Sequence, residues 1–451
     1  MAQVQQEVEL SSIQSRTGPS SAADRDVTWH DELATDTEIE QAGLPPTDTG
    51  RGAWLVLAGC SLIQVPVWGF SSAFGVFQEY YSSHGDELKG GVGNVATVGT
   101  TVSGVMYLMS PFTFFLLTRW PRLRRWFGPI GLVLAFIGFL ASSFATTVGQ
   151  LILTQGVVSA LGCGLLFTPT TLYLDEWFVK RKGLAYGIMW AGKSATGVGL
   201  PFAINASLRR FSPGTTLQAW SVATVLLSAP LLYLLKPRIP LSRTATTRRI
   251  STTFLALPAF WALMLGNLLQ SLGYFLPYAY ISSYTTHTLH FSPTIGTLVL
   301  ALINATSIPG GILIGSLGDH AGVAPTILVS TLGSALAVFL FWGFASKVAL
   351  VAVFALTYGF FAGGFSSTWS GVLVELKRQS PAMDTGFLFG LLAGGRGIGN
   401  VVSGPVSAAL VRGTGGWWFG GEFGGIIVFT GVTAVLGGTG ALGRVFKGCA
   451  S

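Results

Sequence analysis

The chain reads as an all-α membrane protein of twelve transmembrane helices in two six-helix, pseudo-symmetric halves, and three observations predict this. Half of the 451 residues are hydrophobic and only 10% are charged, with a mean hydropathy of +0.58; a soluble globule carries roughly 25% charge. About twelve apolar runs lie between charged or turn-forming breaks, each close to the ~20 residues that cross a bilayer. A shift of 203 residues also lays one half on the other, taking Leu153, Thr154 and Gly156 to Leu356, Thr357 and Gly359. The 60 glycines agree, since small residues let membrane helices approach closely.

Residues 1–50 hold ten of the 19 acids but only Arg16 and Arg25 among the 26 Lys and Arg. This polar stretch is expected to be a disordered cytosolic tail rather than a cleaved signal peptide. The spans are expected near 53–77, 93–117, 127–147, 150–173, 183–206 and 217–235, forming a first bundle over 51–235. A basic, proline-bearing linker follows at 236–253. The second bundle, 254–447, has spans near 254–284, 293–316, 325–344, 348–372, 383–409 and 424–442.

Basic residues in the connections orient the chain. One side carries Arg119, Arg122, Arg124 and Arg125; Lys180, Arg181 and Lys182; Lys236, Arg238, Arg243, Arg248 and Arg249; Lys377 and Arg378; and Arg444 and Lys447. The other carries only Lys89, Arg209, Arg210, Lys347 and Arg412. The richer side is expected to be cytosolic, with both termini. These charges sit in short turns, so nucleic acid is not an expected partner.

The repeat register continues through Gly183, Gly187 and Gly192, which land on Gly386, Gly390 and Gly395, and it sets Lys193 on Arg396. These two cations sit well inside apolar runs. A charge there costs about 2.5–3.5 kcal/mol on insertion scales, so it is rare without a use. Together they suit a clamp for an anionic group, the guanidinium as a fork and the ammonium as a point charge. Tyr274, Tyr278 and Asn304 are further polar candidates for the same cavity, with Tyr358 and Trp369 beside them. Acids are absent from mid-span: Glu79, Asp175, Glu176, Glu375 and Asp384 all fall near span ends.

Several segments resemble the major facilitator superfamily, and within it the fungal monocarboxylate-porter branch. Residues 175–187, Asp-Glu-Trp-Phe-Val-Lys-Arg-Lys-Gly-Leu-Ala-Tyr-Gly, look like the family's start to the fifth span. Residues 315–322, Gly-Ser-Leu-Gly-Asp-His-Ala-Gly, resemble its Gly-x-Leu-x-Asp-Arg-x-Gly turn with His for Arg. Tyr274-Phe275-Leu276-Pro277 and Gly395-Arg396-Gly397-Ile398-Gly399 resemble elements of the seventh and eleventh spans. The resemblance implies a gradient-driven carrier working by alternating access, with the fifth and eleventh spans lining its cavity. It also implies that Asp319 acts at the cytosolic face, with Arg181 in the facing basic turn, to steady one conformation.

Departures narrow this expectation. The first-half turn at 118–125 keeps its basic cluster but has lost its glycine and aspartate. Gly69-Phe70-Ser71-Ser72-Ala73-Phe74 is not followed by the lysine that animal monocarboxylate carriers place there, and 293–316 lacks their aspartate–arginine pair. Export of a small organic anion or weakly acidic amphipathic metabolite is therefore expected ahead of proton-coupled monocarboxylate uptake. A non-transporting nutrient sensor is the alternative of another class. Protons are the candidate coupling ion, a monomer is expected, and the cell membrane is the family's usual residence, with the vacuole the alternative.

No cofactor or metal is expected. The five histidines fall in the tail or loops, with no carboxylate near His287 and His290 in sequence to complete a site. Cys60, Cys163 and Cys449 suggest no disulfide framework. No nucleotide-binding Gly-x-x-x-x-Gly-Lys-(Ser/Thr) motif occurs, and no His, Asp or Cys cluster suggests an enzyme.

Overall fold

A chain crossing lipid must satisfy its backbone polar groups internally, and an apolar run of this length can do so only as a helix. The computed structural model describes residues 44–84, 95–239, 250–413 and 421–441. The expected tail up to residue 43, Lys89, Arg243, Arg248, Arg249, Arg444, Lys447 and Cys449 lie outside the described residues, as does the side chain of Arg412.

Ten helical spans are long and apolar enough to cross a membrane. They are α1 (Gly50–Ser83), α2 (Val95–Arg119), α3 (Pro121–Ser142), α4 (Val148–Trp177), α6 (Pro213–Leu234), α7 (Pro258–Thr288), α8 (Pro293–Ala321), α9 (Val323–Trp342), α10 (Val348–Gln379) and α12 (Gly424–Ala441). Two more helices, α5 (Lys182–Arg210) and α11 (Thr385–Gly413), have 29 residues each. These two contain the interior cations and many scattered glycines, which lower their apolar character. With them the described spans number the expected twelve. The repeat is visible in the helices themselves, because Lys182 and Arg210 shifted by 203 are Thr385 and Gly413.

Proline places the breaks. The helix in α1 is interrupted at Ile63, before Pro66; in α2 at Met109, before Pro111; and in α7 at Phe275, before Pro277. Pro169, Pro201, Pro309 and Pro405 lie within continuous helices. Proline removes one backbone donor and crowds the preceding turn. At the α7 break the Tyr274 carbonyl accepts from the Tyr358 hydroxyl at 2.9 Å, so the interruption is satisfied by α10.

Helix α5 packs along α8, and α11 packs along α2. Both contacts depend on glycine. A Cβ on Gly183 would lie 2.4 Å from the Gly315 carbonyl oxygen, and one on Gly187 2.6 Å from that of Gly311. In the α2–α11 crossing, a Cβ on Gly397 would lie 2.4 Å from the Leu108 backbone nitrogen. Backbones this close leave no room for any side chain.

Candidate functional site

Lys193 and Arg396 are each the twelfth residue of their helix, roughly 17 Å along it at 1.5 Å per residue. The two helices bring them to one aromatic ring. The Arg396 guanidinium carbon lies 4.0 Å from the centroid of Tyr274, and the Lys193 ammonium lies 5.5 Å from it. Tyr274 is presented by the broken end of α7. One turn earlier on that helix, Gln270 accepts a 3.3 Å hydrogen bond from Arg396 Nη1.

Arg396 is 0% exposed, so it does not snorkel to either surface. Its Nε and Nη2 have no hydrogen-bond partner among the described residues. Neither cation belongs to a described ion pair; those are Arg124–Glu176, Lys182–Asp175 and His287–Glu79. Two cations held together without an acid form a site of net positive charge, which is the electrostatic requirement for binding an anion.

Aromatic rings surround them. Trp68 of α1 lies 5.0 Å and Trp190 of α5 5.9 Å from the Lys193 ammonium. Tyr107, Phe365 and Trp369 each lie 5.8 Å from the Arg396 guanidinium. The rings also meet one another, Trp68 with Tyr107 at 4.7 Å and Trp190 with Trp369 at 6.3 Å. Cation–π contacts, worth about 0.5–2 kcal/mol each, offset part of the burial of these charges. The indole nitrogens of Trp68 and Trp190 are buried donors without partners among the described residues.

The remaining predicted residues fall in different places. Tyr278 is one turn beyond Tyr274, with ring centroids 5.4 Å apart, and its hydroxyl is 3.2 Å from that of Ser307. It supports Tyr274 from behind. Asn304 gives its amide to the Leu300 carbonyl of its own helix and fills the space over Gly197, so it packs between α5 and α8. Tyr358 holds the α7 break, and Trp369 stands in the ring around Arg396 and donates to Asn267. Asn267, Gln270 and Tyr274 recur at helical spacing along α7, a polar stripe that sequence reading left unused although the pattern was there.

At the basic end, the Asp319 carboxylate of α8 accepts from the backbone N–H groups of Gly183 at 3.0 Å and Leu184 at 3.1 Å, capping α5. Asp175 of α4 bonds both Lys182 and Thr385, tying α4 to the starts of α5 and α11. Asp384 caps α11 locally, accepting from Phe387 N–H at 2.8 Å, and Thr118 also reaches it. Asp384, the residue just before α11, thus supplies a carboxylate to the start of that helix.

Arg181 faces Asp48 rather than Asp319. Asp48, expected in the disordered tail, is buried and accepts the backbone N–H groups of Val179, Lys180 and Arg181, the last at 2.8 Å. The tail boundary therefore falls before Asp48. Burial opposes ionisation of this carboxyl, but the three N–H groups and the Arg181 charge outweigh it and hold it below the usual carboxylate range. Its stabilisation is then complete above about pH 4, the unfolded value, and is lost as pH falls through the lower folded value. Asp48→Asn is expected to lower the melting temperature at pH 7, by about 1–2 kcal/mol of stability. The gap between variant and parent should close in melts below pH 4; a gap that persists there would remove the charge from the explanation.

At the opposite end, Asn205 donates to Thr297 and Arg209 to Thr294, so α5 and α8 stay joined. A cleft of about 390 Å³ opens there, lined among others by Glu79, His84 and Arg209. Glu79 lies 3.6 Å from His287 of α7. Glu79 is 208 positions away from His287 in sequence, and only the fold brings the two together. Among the described residues no three potential ligands gather as a metal site.

A buried cationic site reached from twelve packed helices, with close contacts both above and below it, is the build of a membrane transporter. The family model of the Major Facilitator Superfamily matches residues 60–380, and the chain belongs to that family. It is 27% identical to MFS-type transporter pynF of Aspergillus niger, over 84% of this chain and 86% of that protein. It is 25% identical to the Fujikurins efflux protein of Gibberella fujikuroi, over 92% and 90%. It is also 27% identical to the Agnestins efflux protein AgnL12 of Paecilomyces divaricatus, over 87% of each. The crystal structure of the human organic anion transporter MFSD10 (TETRAN) shares the fold, with a TM-score of 0.64 at 14% identity over 86% of this chain and 99% of that one. The chain is a secondary transporter and not an enzyme.

Proposed function

We propose that this transporter exports a small organic anion, or a weakly acidic amphipathic metabolite, by alternating access, with Arg396 and Lys193 holding the acidic group. The observation that carries this reading is the fully buried Arg396 guanidinium, which among the described residues has two nitrogens without a hydrogen-bond partner and no ion pair to an acid. The surrounding Trp68, Trp190, Tyr274, Phe365 and Trp369 suit an aromatic or apolar body, since aromatic rings stack on flat ligands with geometric preference. The efflux names carried by two of the relatives support the outward direction. The six-helix halves, 51–235 and 254–447, are the bodies that would rock about the site. Asp319 would steady the state closed at the basic end; the excess of basic residues there supports reading that end, with both termini, as cytosolic. Protons as the coupling ion, a monomeric carrier, cell-membrane residence and the monocarboxylate-porter branch belong to the same proposal.

Secretion of an aromatic carboxylic acid from transporter-deficient cells tests it. Expression of the chain should lower the acid retained inside at least threefold, and dissipating the pH gradient should abolish the effect. Accumulation of a short monocarboxylate driven by an inward proton gradient would reverse the direction. Failure to move any acid would remove the anion reading.

A further inference from the structure

We propose that the crevice between α3, α4 and α6 at the basic end binds one anionic phospholipid, its phosphate on Arg124 and Arg125 and an acyl chain along the α3–α6 seam. The crevice holds about 440 Å³, and Arg124, Arg125, Pro169, Tyr173, Leu232 and Tyr233 are among its walls. Arg124 uses Nη1 on Glu176, and its Nε is buried without a partner among the described residues. Glu176 is otherwise occupied by the N–H groups of Arg238 and Ile239. The guanidinium of Arg125 lies 5.5 Å over Trp126, and the ammonium of Lys236 lies 4.5 Å over Tyr233 at the crevice wall. Glu176 thus bonds Arg124, while Arg125 and Lys236 stand over aromatic rings, and a guanidinium fork matches phosphate oxygens.

The second observation selects a lipid over a free phosphate. A groove of about 350 Å³ lies between the same two helices, walled only by Leu132, Val133, Phe136, Val222, Val225 and Leu226. On α3 the walls advance from 125 through 128–129 and 132 to 136, one face at helical spacing. On the antiparallel α6 they run back from 235 through 232 to 225 and 222. Arg125 to Phe136 spans roughly 16 Å, about half the ~30 Å hydrocarbon core. Helices α3 and α6 are also the least covered of the ten strongly apolar spans, with 39% and 28% of their apolar windows buried. Basic pockets between helices at this depth attract anionic headgroups.

This inference requires a spanning chain but no transport, so binding tests it separately from the transport reading. Full-length delipidated protein in neutral detergent is titrated with dioleoylphosphatidylserine or dioleoylphosphatidylcholine and followed by native mass spectrometry. One serine lipid per chain should be retained at least tenfold more tightly than the choline lipid. Arg125→Gln with Lys236→Gln should erase that preference, and Val225→Trp should expel the lipid by filling the groove. Glycerol phosphate should not compete. Equal retention of the two lipids, an unchanged preference in the double variant, or displacement by glycerol phosphate would each overturn the proposal. Should a variant fail to fold, the comparison of the two lipids on the parent protein still decides.

Discussion

Arg396→Gln is expected to reduce the initial rate of transport at least about 100-fold while the protein melts at the same temperature or higher. The two effects part because of what surrounds the guanidinium. It has no acid partner in the described ion pairs, and among the described residues only its Nη1 has a hydrogen-bond partner, Gln270. Removing the charge therefore strands no opposite charge and relieves a desolvation cost. A bound anion would lose a charge-assisted, two-pronged contact worth about 3 kcal/mol, and each 1.4 kcal/mol is tenfold. Arg396→Lys keeps the charge without the fork and should lose about tenfold. Proteoliposome transport beside a thermal melt checks both parts. Transport within twofold of the parent would exclude Arg396 from the substrate path. A strong fall in melting temperature would make it a structural cation.

Gly187→Val is expected to cut transport to below about a tenth without unfolding the protein, by keeping the basic end from closing. A Cβ at this position would sit 2.6 Å from the Gly311 carbonyl oxygen and 3.0 Å from the Ile312 Cα. These are backbone atoms, so α5 and α8 can only move apart. Ser367, 1% exposed and 3.3 Å from a Cβ built on Gly315, lies behind this seam. With native cysteines replaced, a bulky charged maleimide should label Ser367→Cys in the Gly187→Val background and spare it otherwise. Gly199→Ala, on the same helix but with nothing within 4 Å of its Cβ, is the control and should transport normally. Labelling that is equal in both backgrounds would mean the seam does not govern access.

The depth of Lys193 and Arg396 was legible because apolar runs count residues along a helix and the 203-residue register ties two helices together. Asp319 was legible through its turn motif. Gln270 and Asn267 could have been found as a polar stripe on α7, one and two helical turns from Tyr274. Asp48 was hidden because the composition of residues 1–50 averages over a residue that differs from its neighbours. Its burial depends on the N–H groups of 179–181, more than 130 positions away. The Glu79–His287 pair was hidden for the same reason: each is an ordinary residue near a helix end until α1 and α7 meet.

Composition and periodicity alone determined that the chain spans a membrane, how many apolar runs it has, which end is basic, and which cations lie well inside their helices. These properties follow from transfer energies and helical rise, which act locally along the chain. The tertiary structure decided that both cations stand over the Tyr274 ring, that six rings surround them, and that neither pairs with an acid in the described ion pairs. It also decided that Asn304 is packing rather than lining. Such facts depend on which glycines let which helices touch, and that contact geometry is a property of pairs of helices that no single stretch of sequence contains.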